Sequence, residues 1–295
     1  MNALPFWKLQ SIGNDFVLVE AEVLRTLGLE PSDITPALSH RRFGVGSDGL
    51  LVVELTGNDL RLRMFNPDGS EDFCGNGLRC AVQFATEVLG LQSEFAVQHL
   101  GRSVHAERRF DGSIRTEIGR ASYAPADVPH LHPGEFYRSE IVVDGEAHVV
   151  SCLSTGSTHT ILEVNGYPED GVFLSLSPKL ENHPLFPERT SVMWVWNEGP
   201  DALAMRIWER GAGETLGCGT GSTAAAVHAM RVRGAGGTIS VRNPGGAVEV
   251  SAESYDSDLA ITGFAEITFS GEFSLRTLMA PVAAAHFAEQ AGTTG

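Results

Sequence analysis

Two cysteines stand in nearly the same surroundings, Cys74 in SEDFCGNGLRC and Cys218 in GETLGCGTGST. Each opens a Cys-Gly-x-Gly motif that runs into a stretch of helical periodicity, over 76–89 and 220–232. A thiol at the first turn of a helix lies beside unpaired backbone N–H groups and the positive end of the helix dipole, which favour its thiolate and draw its pKa toward neutrality. Gly75 and Gly77 in one motif, and Gly219 and Gly221 in the other, carry no side chains to keep a ligand off the backbone. Such a nest of N–H groups suits a carboxylate. Inverting a stereocentre by proton transfer needs a base on one face of the carbon and an acid on the other, and two thiols supply both. The same N–H groups would stabilise the enolate-like charge left when an α-proton departs, so no metal or organic cofactor is required.

The bland reading of a free cysteine is a small buried hydrophobe. It fits Cys80, inside a helix, and Cys152, in a strand; for Cys74 and Cys218 the matched contexts argue against it. A disulfide between Cys74 and Cys218, formed on oxidation, is the other bland possibility. Four cysteines with no C-x-x-C support neither a disulfide framework nor structural zinc. Lys8 and Lys179 are the only lysines and neither sits in a phosphate-binding context, which argues against a pyridoxal-phosphate Schiff base.

Strands dominate the elements that must hold these thiols. Alternating or apolar runs bounded by turn residues predict strands at DFVLVEA (15–21), GLLVVEL (49–55), RLRMF (61–65), EIVVDGEAHVV (140–150) and SVMWVW (191–196). Aligning the two predicted helices exposes an internal repeat, 64–82 against 207–227, each an apolar strand, polar turn residues, a Glu and then the cysteine motif. The cysteines are 144 positions apart, about half the chain, as duplication of one domain would give. The Pro-rich stretch 121–136 sets the domain break: residues 1–124 carry Cys74, residues 125–271 carry Cys218, and a shared cleft between them holds the site. Residues 272–295, with an Ala-rich helix over 279–290, are read as a segment able to return to the first half.

A length of 295 residues with 42% hydrophobic and 20% charged content describes an ordinary globular protein. The formal charge of −16 repels nucleic acid and anionic membranes, and no apolar run reaches membrane-spanning length, so cytoplasmic residence is the expectation. The stretch from Gly44 to Gly49 matches G-x-G-x-x-G literally but precedes a strand, which argues against a dinucleotide site.

At its motifs the chain closely resembles the diaminopimelate epimerase family, through KLQSIGNDF (8–16), FGVGSDGLLVV (43–53), FNPDGSEDFCGNGLRC (65–80), FPERTSV (186–192) and WERGAGETLGCGTG (208–221). The resemblance implies an α/β (α+β) fold of two pseudo-symmetric halves, each a curved, mostly antiparallel sheet wrapped around a central helix. It implies a cofactor-independent epimerase interconverting LL- and meso-diaminopimelate, with Cys74 and Cys218 as the two bases. Asn14, Gly75, Asn76, Gly219 and Thr220 would then hold the carboxylate and amine of the reacting centre, and Asn66, Glu209 and Arg210 the distal end, where an Arg fork suits a carboxylate. As ordinary structure, Asn14 and Asn66 would be turn residues, and Glu209 with Arg210 a solvated pair.

The chain departs from the family pattern at three places. Gly156-Ser157-Thr158-His159 stands where Gly-Asn-Pro-His is usual, Arg189-Thr190-Ser191-Val192 where Arg-Val-Asn-Val is usual, and Gln10-Ser11 where His-Gly is common. Ser157 and Ser191 replace amides that the family uses on the distal amino-acid group, and a hydroxyl is shorter with fewer donors. A different amino-acid substrate with the same two-thiol chemistry is therefore the alternative, and a non-catalytic binding homologue a more distant one. A homodimer is expected as the commonest assembly of soluble enzymes.

Overall fold

Strands β2 and β3 each bury both faces, and the reason is visible in their alternation. In β2 (Asn14–Glu20), Phe16 and Leu18 join one core while Val17 and Val19 join another; in β3 (Gly49–Thr56), Leu51 and Val53 part from Leu50 and Val52 in the same way. Such strands need a layer on each side, and the computed structural model, which describes residues 3–278, supplies both.

The chain divides into two units, residues up to Thr116 together with those from Phe264 onward, and Glu117–Gly263. The first contains β1 (Ala3–Ser11), β2, α1 (Ala21–Leu27), α2 (Pro31–Ser39), β3, β4 (Asp59–Phe65), α3 (Gly75–Glu87), β5 (Glu94–His99), β6 (Arg102–Arg108) and the start of β7 (Ile114–Gly119). The second contains β8 (Ser139–Val143), β9 (Glu146–Ser154), β10 (Thr158–Glu163), α4 (Asp170–Glu181), β11 (Ser191–Gly199), β12 (Ala202–Glu209) and β13 (Gly213–Thr215). It continues through α5 (Gly219–Arg233), β14 (Gly237–Asn243), β15 (Gly246–Ala252) and β16 (Leu259–Gly263). Strand β17 (Glu266–Ser274) and the short α6 (Leu275–Leu278) belong with the first unit, where β17 pairs antiparallel with β1 from Ala3↔Ser274 to Gln10↔Glu266.

The return to the first unit is thus made by a strand that begins before the 272 expected from sequence. The chain leaves the first sheet after β7 pairs with β6 through Arg108↔Ile114, some residues ahead of the expected 124/125. The expected Ala-rich helix at 279–290 lies outside the described residues.

Each unit wraps strands around one buried helix. All residues of α3 from Gly75 to Ala85 are buried, and the helix packs on β1, β2, β3, β4, β6 and β17. In the second unit α5 packs on β9, β10, β11, β12, β14 and β15, and its Ala224-Ala225-Ala226 run lets the strands approach closely. Most enclosed positions of both helices are apolar or small and neither first turn is charged, although α3 also buries Arg79 and Gln83 and α5 buries His228. The outer faces take α1 and α2 in one unit and α4 in the other.

The predicted strands are all present. EIVVDGEAHVV is two strands, β8 and β9, turning at Asp144-Gly145, both at positive φ (53° and 84°). Sequence reasoning did not predict α1, α2 and α4, which are short or carry an internal proline, Pro36 in α2 and Pro178 in α4. The G-x-G-x-x-G stretch leads into β3, and Gly44 has a packing role, since a Cβ there would sit 2.1 Å from the Ala37 carbonyl oxygen.

Candidate active site

Cys74 is the N-cap of α3 and Cys218 the N-cap of α5, each with extended backbone angles (φ −137°, ψ 112° and φ −127°, ψ 109°). The Cys74 thiol accepts from the Gly77 N–H at 3.3 Å, and the Cys218 thiol accepts from the Gly221 N–H at 3.4 Å. Sulfur therefore takes the place that a Ser or Asp oxygen usually holds at a helix start, and an anion on it would face orphan N–H groups.

The likeness of the halves extends beyond the motifs. The Cys74 backbone N–H donates to His99 Nε2 at 3.1 Å, and the Cys218 backbone N–H donates to Asn243 Oδ1 at 3.3 Å; in both cases the acceptor lies 25 positions downstream. Because His99 Nε2 accepts, its proton is on Nδ1, which donates to the Leu62 carbonyl at 3.1 Å. Burial holds His99 below its usual pKa, in keeping with that neutral tautomer. Phe73 stacks on the ring, at 4.9 Å and 22°. Neither residue was singled out from sequence, though each ends a strand before a Gly-containing turn (HLGR and NPGG) and carrying the repeat alignment further would have paired them.

The thiols themselves differ. Cys74 is partly exposed, whereas Cys218 is 5% exposed. Burial first, and then the Glu209 carboxylate, push the Cys218 thiol well above its ordinary pKa; the Thr220 hydroxyl, 3.5 Å away, and the Gly221 N–H pull the other way. The fall toward neutrality expected from the helix terminus is thus outweighed at Cys218, because removing the thiolate from water opposes ionisation more than two N–H or O–H contacts favour it. Burial also raises Cys80 and Cys152, which are fully enclosed, as the sequence suggested.

The glycines divide by role. A Cβ on Gly221 would sit 2.7 Å from Met193 Sδ and 3.2 Å from Cys218 Sγ, so the thiol's seat depends on glycine there. A Cβ on Gly75 would meet nothing within 4 Å, so packing does not require that glycine and its bareness leaves open space above the helix start.

The other candidate residues fall into separate groups. Asn76, in the first turn of α3, accepts on Oδ1 from buried Arg79. Asn14 donates to Asp48 at 3.1 Å, within a network of Lys8, Asp15 and Arg41 that holds Asp15 down at about 2 against its burial. Asn66 donates to Ser70 Oγ at 3.2 Å and its backbone closes the turn with Ser70, so it serves the turn after β4. Glu209 accepts from Thr215 at 2.6 Å and lies beside Cys218. Thr220 accepts on its carbonyl from Thr155 at 3.0 Å, which ties the second helix start, Gly219 included, to the end of β9.

Ser157, Ser191 and Arg210 come together around His159. Ser157 Oγ lies 3.0 Å from His159 Nε2, His159 pairs with Ser191 across the parallel β10 and β11, and Ser191 Oγ accepts from the Arg210 N–H at 3.1 Å. The Arg210 guanidinium donates to the Glu188 carbonyl at 3.0 Å. Burial, and secondarily Arg210, bring His159 down to about 3, so it is neutral. The two serines that depart from the family pattern thus both neighbour His159.

Among the described residues no three His, Cys, Asp or Glu side chains gather as metal ligands, and no helix is long and apolar enough to cross a membrane. The two lysines are engaged, Lys8 with Asp15 and the Gly46 carbonyl, Lys179 with Asp144.

The sequence model of the family described as diaminopimelate epimerase matches residues 6–124 and 151–267. A protein named diaminopimelate epimerase from Moorella thermoacetica is 36% identical over 283 residues, spanning 92% of this chain and 100% of its own length. One from Pseudomonas entomophila is 33% identical over 277 residues, spanning 92% and 99%. Among solved structures, a hydroxyproline epimerase from Agrobacterium vitis superposes with a TM-score of 0.65 at 14% identity, covering 93% of each chain. A probable proline racemase from Agrobacterium radiobacter superposes with a TM-score of 0.66 at 15% identity, covering 95% of each. At such identities these two show the fold alone.

Proposed function

The chain belongs to the diaminopimelate epimerase family, and on that premise we propose that it interconverts LL- and meso-diaminopimelate by proton transfer between Cys74, Cys218 and the substrate α-carbon. The observation that carries this reading is the matched seating of the two thiols. Each caps a helix, each accepts the N–H three residues on, and each has its own N–H taken by a side chain 25 positions downstream.

In one direction the Cys74 thiolate takes the α-proton while the Cys218 thiol, kept protonated by burial and Glu209, gives its proton to the opposite face. One C–H bond breaks and one forms, and the enzyme ends with the charge on Cys218. The reverse reaction exchanges the roles. N–H groups at the starts of α3 and α5, together with Asn76 and Thr220, bind the α-carboxylate and take up the charge that spreads onto it in the transition state. Asn14 serves the reacting centre from β2. Arg210, with Ser157 and Ser191 near it, serves the distal group, and Glu209 acts beside the thiol. Asn66 keeps the turn that leads toward Cys74. Two thiols complete the proton transfers, and the reading needs no pyridoxal phosphate. The reading extends to a small amino-acid substrate and a cytoplasmic homodimer, the acidic charge disfavouring nucleic-acid and anionic-membrane partners.

Solvent deuterium incorporation into LL-diaminopimelate, followed by mass spectrometry with wild type, Cys74→Ala and Cys218→Ala, tests the reading. Incorporation by wild type and its loss in both variants is the expected result. Exchange with another amino acid of a panel and none with diaminopimelate would move the substrate, pointing to Ser157 and Ser191. Absence of exchange with every amino acid would overturn the epimerase reading.

A further inference from the structure

Arg79 sits in the second turn of α3 and is fully buried, and no carboxylate pairs with it among the described residues. Its Nε donates to Ser11 Oγ at 2.9 Å, its Nη2 donates to Asn76 Oδ1, and its Nη1 has no partner. Ser11, also fully buried at the end of β1, gives its own hydrogen to the Phe264 carbonyl at 2.7 Å. A buried guanidinium without a carboxylate partner is destabilising, and burial pulls Arg79 down to about 10 against the opposing pull of the Cys80 and Cys74 sulfurs, so stability alone does not account for it.

The direction of every bond in this group follows from one fact, that arginine has donors and no acceptor. Ser11 has committed its one hydrogen to Phe264 and so accepts from Arg79. Asn76 must turn its oxygen to Arg79, and its Nδ2 is therefore the end directed elsewhere. An amide held in this sense donates to an anion and does not accept from an ammonium group.

We propose that Arg79 and Ser11 are positioning residues that set the polarity of the Asn76 amide, making Asn76 a donor to the substrate α-carboxylate and not an acceptor for the α-ammonium. The proposal rests on the reading of the chain as an α-carbon epimerase with Asn76 at the reacting centre. A glycine, which is common at that position in the family pattern, has no hydroxyl to hold Arg79 Nε.

The test measures steady-state α-deuterium exchange with LL-diaminopimelate for wild type, Ser11→Gly, Arg79→Lys, Arg79→Met, Asn76→Ala and the doubles Arg79→Met/Asn76→Ala and Ser11→Gly/Asn76→Ala, with thermal melts of each. Exchange by wild type and not by Cys74→Ala establishes the underlying reading separately. Loss of a charge-assisted orienting bond should raise KM about tenfold to a hundredfold in Arg79→Met with a smaller change in kcat, and Ser11→Gly should raise it roughly threefold. Arg79→Lys, which keeps the charge without the two-pronged fork, should recover part of the loss.

Because both residues act through Asn76, either change added to Asn76→Ala should alter KM by less than about twofold. Multiplicative effects in the doubles, or an unchanged KM in Arg79→Met, would overturn the proposal. If Arg79→Met does not fold, the Ser11→Gly cycle decides by the same criterion, an additive or absent effect on KM sinking it. Should wild type exchange no amino acid, the epimerase reading fails and the proposal fails with it.

Discussion

Replacing Asn243 by Ala should loosen the start of α5 and with it the seat of Cys218. Asn243 is 2% exposed and does three things there: its Oδ1 accepts from the Cys218 N–H at 3.3 Å and from Ser222 Oγ at 3.1 Å, and its Nδ2 donates to the Val241 carbonyl at 3.2 Å. Ser222 keeps another acceptor, the Cys218 carbonyl at 2.8 Å, so its share is small. The Cys218 N–H is buried at a helix N-cap and would lose its partner, at about 1–3 kcal/mol. Adding the Val241 bond, at about 1 kcal/mol, gives roughly 2–4 kcal/mol in all. For a chain of this size that corresponds to a fall in Tm of roughly 3–7 °C. Calorimetry on wild type and Asn243→Ala reads the shift directly. Alkylation of Cys218 followed by peptide mass spectrometry should show a faster reaction in the variant, because the thiol leaves its enclosed position. A Tm within about 1 °C of wild type and unchanged alkylation would refute the idea that this side chain holds the helix start.

Other outcomes follow from the same geometry. His99→Ala should act in the first half as Asn243→Ala does in the second, slowing exchange through displacement of Cys74; unchanged kcat/KM in that variant would count against the matched-seat argument. His159 is fully buried with its pKa lowered from the ordinary 6.5 to about 3, so the unfolded chain binds the extra proton. Its contribution to stability is complete above about pH 6.5 and is lost as pH falls toward 3, with a slope of up to ~1.4 kcal/mol per pH unit, and a His159→Gln variant should lack that slope in denaturant titrations. Arg206, 4% exposed, joins Glu214 at 2.7 Å and Asp170 at 2.8 Å and lies 3.9 Å from the Phe173 ring centre. Arg206→Ala should lower stability by about 2–4 kcal/mol, a figure discounted for the exposure of Asp170, as measured by urea unfolding with the exchange assay as control.

The chemistry was legible in the chain because it depends on local, repeated signals. A cysteine before Gly-x-Gly at a helix start is a short-range pattern, and its recurrence 144 positions on exposes a duplication without any knowledge of packing. The five strand segments named from the chain were also plain, since alternating or apolar runs write their faces into the order of residues. What the order of residues could not supply is the identity of groups brought in from afar. His99, Asn243, Arg79 with Ser11, and the cluster of Ser157, His159, Ser191 and Arg210 become meaningful only when strands carry them together. The ionisation of Cys218 belongs to the same class. Its local motif favours the thiolate, but the pKa of a thiol is set by everything that excludes water from it, and that enclosure, with Glu209 beside it, exists only in the folded chain.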